Sequence, residues 1–235
     1  MLKLAKPHHE RHRTEHIGWM RASVLGANDG LISTSSLLVG MAAANATPQI
    51  ILITAMAALT AGALSMAAGE YVSVSSQADT EAADMAKERH ELEHSPEAEL
   101  LELTHIYVQR GLDKHLAHQV AEQLTAHDAL GAHLRDELGI HEAVAARPVQ
   151  AALASAAAFS VGALPPILLA WLWRGGSLPL AISVVTLLLL ALLGALAGRL
   201  GGASMRRGAV RVLFWGAMAM AATGLIGRLF GVAAT

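Results

Sequence analysis

Residues 50–76 read IILITAMAALTAGALSMAAGEYVSVSS, a stretch without a charged side chain until Glu70. About 20 predominantly apolar residues are what a helix needs to cross the hydrocarbon core of a bilayer. The run is too long for a buried strand and shows no alternation of apolar and polar positions. It therefore reads as a membrane-spanning helix. The same pattern recurs on either side, at Ala22–Ala44 before it and at Val149–Trp173, Leu178–Leu200 and Val210–Val232 after it. Short polar turns separate the first pair, at Asn45 to Gln49 with Pro48, and the third and fourth, at Arg174 to Ser177. The expected fold is an all-α integral membrane protein with five transmembrane helices. Pro165-Pro166 is expected to interrupt the third, because a proline ring clashes with the preceding turn and donates no backbone hydrogen bond.

Charge supports this division. Only 15% of the 235 residues are charged, against roughly a quarter in a soluble domain. No Asp or Glu follows Glu142, and Asp29 and Glu70 are the only acids from Ala22 to Ser76. The other acids sit in the first 20 residues or between Asp79 and Glu142. Four regions follow: an N-terminal amphipathic segment over 1–21, transmembrane helices 1–2 over 22–76, an acidic helical insert over 77–147, and transmembrane helices 3–5 over 148–235. Ser95-Pro96, Gly111 and Gly139 mark helix ends within the insert.

Lys and Arg give the orientation, since they accumulate on the cytoplasmic side. Five lie in the N-terminal segment, six in the insert, and Arg199, Arg206, Arg207 and Arg211 before the last helix, against Arg174 and Arg228 on the other side. The N-terminus and insert are thus expected in the cytoplasm and the C-terminus outside. The first 20 residues lack the apolar core of a signal peptide, so the first span is expected to act as an uncleaved signal anchor. Nothing reads as an organelle address, which favours a bacterial inner membrane. The net charge of −2 says nothing about nucleic acid, but no basic stripe with interleaved aromatics appears and no nucleic-acid partner is expected; the absence of Cys excludes disulfides and thiolate metal sites.

The intramembrane carboxylates are the first candidates for chemistry. A charge at bilayer depth costs on the order of several kcal/mol, so it normally faces a cavity or a partner. Asp29 lies roughly 12 Å past Arg21 along helix 1. Helix 2 runs back, bringing Met66 and Glu70, one turn apart on one face, towards the same cytoplasmic half. A carboxylate beside a thioether suits a borderline cation such as Fe²⁺ better than Ca²⁺ or Mg²⁺. The competing readings are a helix-packing hydrogen bond for Asp29, snorkelling for Glu70 and core filling for Met66.

In the insert, Glu88 and Glu91, Glu99 and Glu102, and His133 and Glu137 each share a helix face. The break at Ser95-Pro96 can fold the first two pairs together. Carboxylates with an imidazole make a site for Fe²⁺, Mn²⁺ or Zn²⁺; a solvated acidic helix is the alternative. Two further patterns compete. His90-Glu91-Leu92-Glu93-His94 matches the H-E-x-x-H of zinc proteases, and Glu91-x-x-His94 with Glu102-x-x-His105 matches the Glu-x-x-His of di-iron bundles. Both are short matches in a segment dense with Glu and His. His8, His12 and His16 recur every fourth residue and read as metal collectors or as one side of an amphipathic segment.

Asn28-Asp29-Gly30-Leu31, and Gly62-Ala63-Leu64-Ser65-Met66 followed by Gly69-Glu70-Tyr71, resemble the helix 1 and helix 2 signatures of the vacuolar iron transporter family. The likeness covers nearly the whole chain. It implies proton-coupled export of Fe²⁺, and often Mn²⁺, from the cytoplasm by a homodimer, with the pathway along the dimer interface. It implies that Asp29 and Met66 line that pathway and that Glu88, Glu91, Glu99, Glu102 and Glu137 bind metal on the insert. The chain departs from plant-type members at two places. Ala58 stands where they carry a second pathway glutamate, a role Glu70 would take over. His133 stands where they carry a methionine, and an imidazole must be neutral to bind, which makes the site proton-sensitive.

The expected function is therefore a transporter, with metal ions and protons as partners and no prosthetic group. The alternative from another class is a membrane-anchored di-iron oxidase using the insert.

Overall fold

The computed structural model describes residues 17–140 and 147–233. It contains seven helices among those residues: α1 Ile17–Ala43, α2 Pro48–His94, α3 Pro96–Gln109, α4 Lys114–Asp136, α5 Pro148–Leu172, α6 Leu178–Leu200 and α7 Met205–Ala233. No strand occurs among the described residues. His8, His12 and His16 of the expected N-terminal segment lie outside them.

Two compact units emerge. Among the described residues, one takes in the chain up to Gly69 together with Ala152 onward, and the other is Glu70–Ala151. The boundary falls inside α2. The expected second span, Ile50–Ser76, lies within α2, which continues unbroken to His94. Nothing between Ser76 and His94 stops it: the segment is rich in Ala and Glu, both good helix formers, and contains neither Gly nor Pro.

In the first unit, Leu38 and Val39 of α1, Ile51 and Ala55 of α2, Phe159, Ala163 and Ile167 of α5, Ile182 of α6 and Met220 of α7 form the core. Its outer surface is also apolar. Ile53, Leu64, Leu153, Leu188 and Phe230 are each more than 60% exposed, which a water-soluble fold avoids over such an area. Four helices, α2, α5, α6 and α7, are long and apolar enough to cross a membrane.

The expected first span, α1, does not meet the same measure of apolarity, although its 27 residues give it the length. The reason is its run of polar side chains, Asn28, Asp29 and Ser33 to Ser36. Much of that polarity points inward. Thr34, Ser35 and Ser36 are buried, and the Ser35 and Thr186 hydroxyls share a 2.7 Å hydrogen bond between α1 and α6. A hydrogen-bonded interior hydroxyl lets a polar helix sit among apolar ones; the Thr34 and Ser36 hydroxyls, by contrast, are buried without a partner among the described residues.

The expected interruption at Pro165-Pro166 is corrected, because α5 runs through both residues as one helix. Pro166 is fully buried, and tight packing by neighbours is what allows proline within a membrane helix. Glycine spacing has a similar use. Gly194 and Gly208 place the α6 and α7 backbones in direct contact, and Gly227 lies against the Gly40 carbonyl of α1. A Cβ at Gly194, Gly208 or Gly227 would collide with backbone, not with a movable side chain.

In the second unit, α3 and α4 pack around Leu103, Ala121 and Ala132, with Leu100, Tyr107 and Leu124 at the margin. The helix ends fall where the sequence places them. Pro96 starts α3, Gly111 adopts φ +100° after it, and Gly139 adopts φ +68° after α4. Asp113 caps α4, accepting from His115 N at 3.0 Å and Leu116 N at 3.1 Å.

Candidate functional site

A first candidate site lies wholly within the apolar unit. Asp29, Ser33 and Ser36 of α1, Ala58, Gly62 and Met66 of α2, Phe159 of α5 and Thr223 of α7 line one pocket of about 600 Å³. Asp29 and Met66, expected together from sequence, therefore share a cavity. Ala58 lines it too, so the position at which the resemblance implies a glutamate in plant-type members faces the same space. Glu70 is half-buried one turn beyond Met66 and is not part of this lining. Gly62 makes the room, since a Cβ there would strike the Phe159 ring. Ser33 donates to the Asp29 backbone carbonyl at 2.6 Å, and Asp29 is itself exposed on α1.

A second site lies wholly within Glu70–Ala151. Ligand atoms of Glu88, Glu99, His133 and Glu137 all fall within 4.8 Å of one another. The break at Ser95-Pro96 brings Glu88 of α2 and Glu99 of α3 together. His133 arrives by a feature that the sequence reading missed. α4 is kinked at Asp128, whose backbone is extended at φ −161°, and the Asp128 carboxylate accepts from Gly131 N at 3.0 Å. Asp128 thus acts as an N-cap for a new helical segment, which carries His133 and leads to Glu137. The signal was an aspartate three residues before Gly131 in the middle of a helical pattern.

His133 Nδ1 stands 3.0 Å from Glu137 Oε2, 3.0 Å from Glu88 Oε1 and 3.8 Å from Glu99 Oε2. Only the Glu137 contact has hydrogen-bond geometry. Glu88 Oε1 and His133 Nε2 are buried with no hydrogen-bond partner. Glu88, Glu99 and His133 are almost fully buried, at 3%, 7% and 0% exposure, while Glu137 reaches solvent. Burial raises the pKa of Glu88 to about 7, with the Glu137 charge adding to the shift and His133 opposing it. Burial also raises Glu99. Buried carboxylates held this close repel one another unless a proton or a cation lies among them.

The donor set fits a divalent transition cation. Oxygen and imidazole ligands bind such ions at about 2.0–2.2 Å, so two ligands of one ion lie up to about 4.4 Å apart, close to the spread observed here. A small inward movement would complete the shell. Three carboxylates with one imidazole suit Fe²⁺, Mn²⁺ or Zn²⁺.

The other two expected ligands stand outside this group. Glu91 pairs with Lys87 at 3.3 Å on a solvent-facing surface, and Glu102 is exposed. Both remain near enough for their charges to raise Glu99 further. The spacing i, i+3 put each on a shared face with a true cluster member, but only one of each pair turns inwards. His94 and His105, required by the di-iron pattern, are engaged elsewhere: His94 Nδ1 with the His90 carbonyl at 2.8 Å and His105 Nε2 with Gln109 at 2.8 Å. Among the described residues, Glu91, His94, Glu102 and His105 form no metal-holding group.

An ionic clamp borders the cluster, and sequence reasoning did not find it. Asp136, next to Glu137, receives Arg110 Nη1 at 2.6 Å, Tyr107 Oη at 2.7 Å and Arg135 Nη2 at 3.1 Å. Arg110 Nη2 also donates to the Asp136 carbonyl at 3.0 Å. These bonds tie the end of α4 to the end of α3 and hold the Asp136 carboxyl below its usual range, hydrogen bonds from Tyr107, Arg110 and Arg135 outweighing the effect of burial.

Apolar helices of bilayer length, a pocket with an acid and a thioether among them, and a separate carboxylate–imidazole cluster define a class: integral membrane proteins that handle metal cations. Within that class, the chain belongs to the VIT family, whose model matches residues 20–228. It is 50% identical over 214 residues to a protein of Acanthamoeba castellanii named vacuolar iron transporter, covering 90% of this chain and 78% of that one. Vacuolar iron transporter homolog 1 of Oryza sativa is 36% identical over 91% of this chain and 75% of its own length. Vacuolar iron transporter homolog 2 of Arabidopsis thaliana is 36% identical over 91% and 85%. The resemblance carried by Asn28–Leu31 and Gly62–Tyr71 is thus borne out at the level of the family.

Proposed function

We propose that this chain is a homodimeric exporter that moves Fe²⁺, with Mn²⁺ as a second cargo, out of the cytoplasm in exchange for protons. The observation that carries the reading is the pocket shared by Asp29 and Met66. It puts a hard anionic ligand and a soft thioether at one place within an apolar helix bundle, the combination that favours a borderline cation. The names of the relatives, vacuolar iron transporters, supply the ion.

In this reading α1 is a fifth span, its inward hydroxyls accounting for its low apolarity. The excess of Lys and Arg puts the N-terminus and the Glu70–Ala151 unit in the cytoplasm and the C-terminus outside. The Glu88, Glu99, His133 and Glu137 cluster collects ions there, with Glu91 and Glu102 as an outer acidic rim. An ion then passes to Asp29 and Met66. A carboxylate cannot hold a metal and a proton at the same oxygen, so protonation of Asp29 from the far side releases the ion and carries a proton back. Glu70 supplies a second exchanging carboxylate near the cytoplasmic end. The exposed side of α1 that carries Asp29 becomes the face towards the second protomer, which would enclose the pathway.

Sealed proteoliposomes holding the full chain test the reading. Fe²⁺ should move down its gradient, faster when the receiving side is acidified, and Asp29→Ala should stop it. Flux indifferent to the pH gradient would make the protein a uniporter, and undiminished flux in Asp29→Ala would remove the pathway assignment.

A further inference from the structure

Arg206, Arg207 and Arg211 line one pocket of about 590 Å³ at the start of α7, completed by Ser204 and Val210. Among the described residues lining the pocket, no acid balances their charge. From Arg147 to the end of the sequence there are seven arginines and no aspartate or glutamate. Among the described residues, none of the three guanidinium groups has an ion-pair or hydrogen-bond partner. The direct backbone contact of Gly208 with Gly194 fixes this end of α7 against α6, so the arginines project from a braced helix start.

Depth identifies the partner. Phe214 and Trp215 follow Arg211 within one turn, each 60% exposed and set edge to face with ring centres 5.4 Å apart. Tryptophan on a spanning helix is enriched at the level of the lipid headgroups, which places Trp215 there. The arginines lie three to nine residues before these rings, about 5–14 Å towards water at 1.5 Å per residue, a span that takes in the depth of phosphate groups. Guanidinium groups bind phosphate oxygens in pairs. The pocket also lacks any carboxylate to receive the cationic half of a zwitterionic headgroup.

We infer that this pocket binds the phosphate of a net-anionic phospholipid headgroup. The bound lipid neutralises the start of α7 and seats the α6–α7 turn at the membrane surface.

Native mass spectrometry of the full-length protein, purified with a mixture of phosphatidylglycerol and phosphatidylcholine, tests this. The wild type should retain phosphatidylglycerol several-fold over phosphatidylcholine. The triple variant Arg206→Lys, Arg207→Lys, Arg211→Lys keeps every charge, and with it the orientation bias, but loses the paired donors of guanidinium. It should lose most of that preference, and Arg174→Gln, on the opposite turn, should keep it. A triple lysine variant that matches the wild type would overturn the inference in favour of a diffuse positive field. Equal retention of both lipids would overturn it as well, as would displacement of phosphatidylglycerol by millimolar inorganic phosphate, which would mark a site for free phosphate.

Discussion

His133 Nδ1 lies 3.0 Å from Glu88 Oε1, with the two side chains 0% and 4% exposed. One comes from the second segment of the kinked α4 and the other from the far end of α2. An imidazole and a carboxylate sealed this closely, without hydrogen-bond alignment, leave an oxygen free to take a proton or a cation. Competition between those two occupants organises the first prediction.

Glu88 binds its proton more tightly in the folded chain than in the unfolded one, with a folded pKa of about 7 against an ordinary 4.5. Its protonated form therefore stabilises the metal-free fold at low pH, and that contribution is lost as pH rises from about 4.5 to about 7. Metal affinity runs the opposite way, because the ion needs the ionised carboxylate. Calorimetric titration of the full chain with Mn²⁺ should show affinity rising across the same window, and Glu88→Gln should flatten the rise. Affinity independent of pH in the wild type would remove Glu88 from the ligand set.

His133→Met should weaken Zn²⁺ binding more than Fe²⁺ binding, since a thioether is a softer and weaker ligand than an imidazole. Titration isotherms that superimpose on those of the wild type for both ions would leave an all-carboxylate site.

Arg110→Ala should weaken metal binding although Arg110 touches no ligand. Its bonds to Asp136 hold the end of α4 where His133 and Glu137 are carried. Loss of a partner bonded directly to a ligand typically costs about 10–100-fold in metal affinity, and Arg110, one contact further out, should cost less. Arg110→Lys should recover part of the loss, because one charge-assisted bond survives. Unchanged affinity in Arg110→Ala would reduce the clamp to a surface ion pair, worth about 0–1 kcal/mol of stability.

Gly208→Val should disrupt the α6–α7 contact, because its side chain would meet the Gly194 carbonyl and not a movable group. Overpacking of this kind costs about 1–3 kcal/mol, and more where backbone must shift. Thermal unfolding in detergent should show the loss, while Gly176→Ala, where nothing lies within 4 Å, should be near neutral. Equal melting temperatures for both variants would mean that the helices separate more easily than their contact implies.

The sequence by itself determined the apolar helices, their turns, the break at Ser95-Pro96 and the family. Hydrophobic length, proline, glycine and short motifs are local properties, and each acts within a turn or two of chain. Asp29 and Met66 were legible as a pair for the same reason: a charge and a thioether stand out on apolar helices. Only the tertiary structure decided that α5 passes through Pro165-Pro166 and that the Ser and Thr side chains of α1 face inwards, because both depend on what neighbouring helices supply. It also decided that Glu88 and Glu99 enter the cluster while Glu91 and Glu102 face water. Residues three apart on a helix share a face but not a direction, and about 300° of rotation over three residues is enough to bury one carboxylate and leave the next in solvent. The kink at Asp128, which sets His133 among those carboxylates, comes from a side chain bonding to backbone three residues on, and packing against α3 fixes where that bend points.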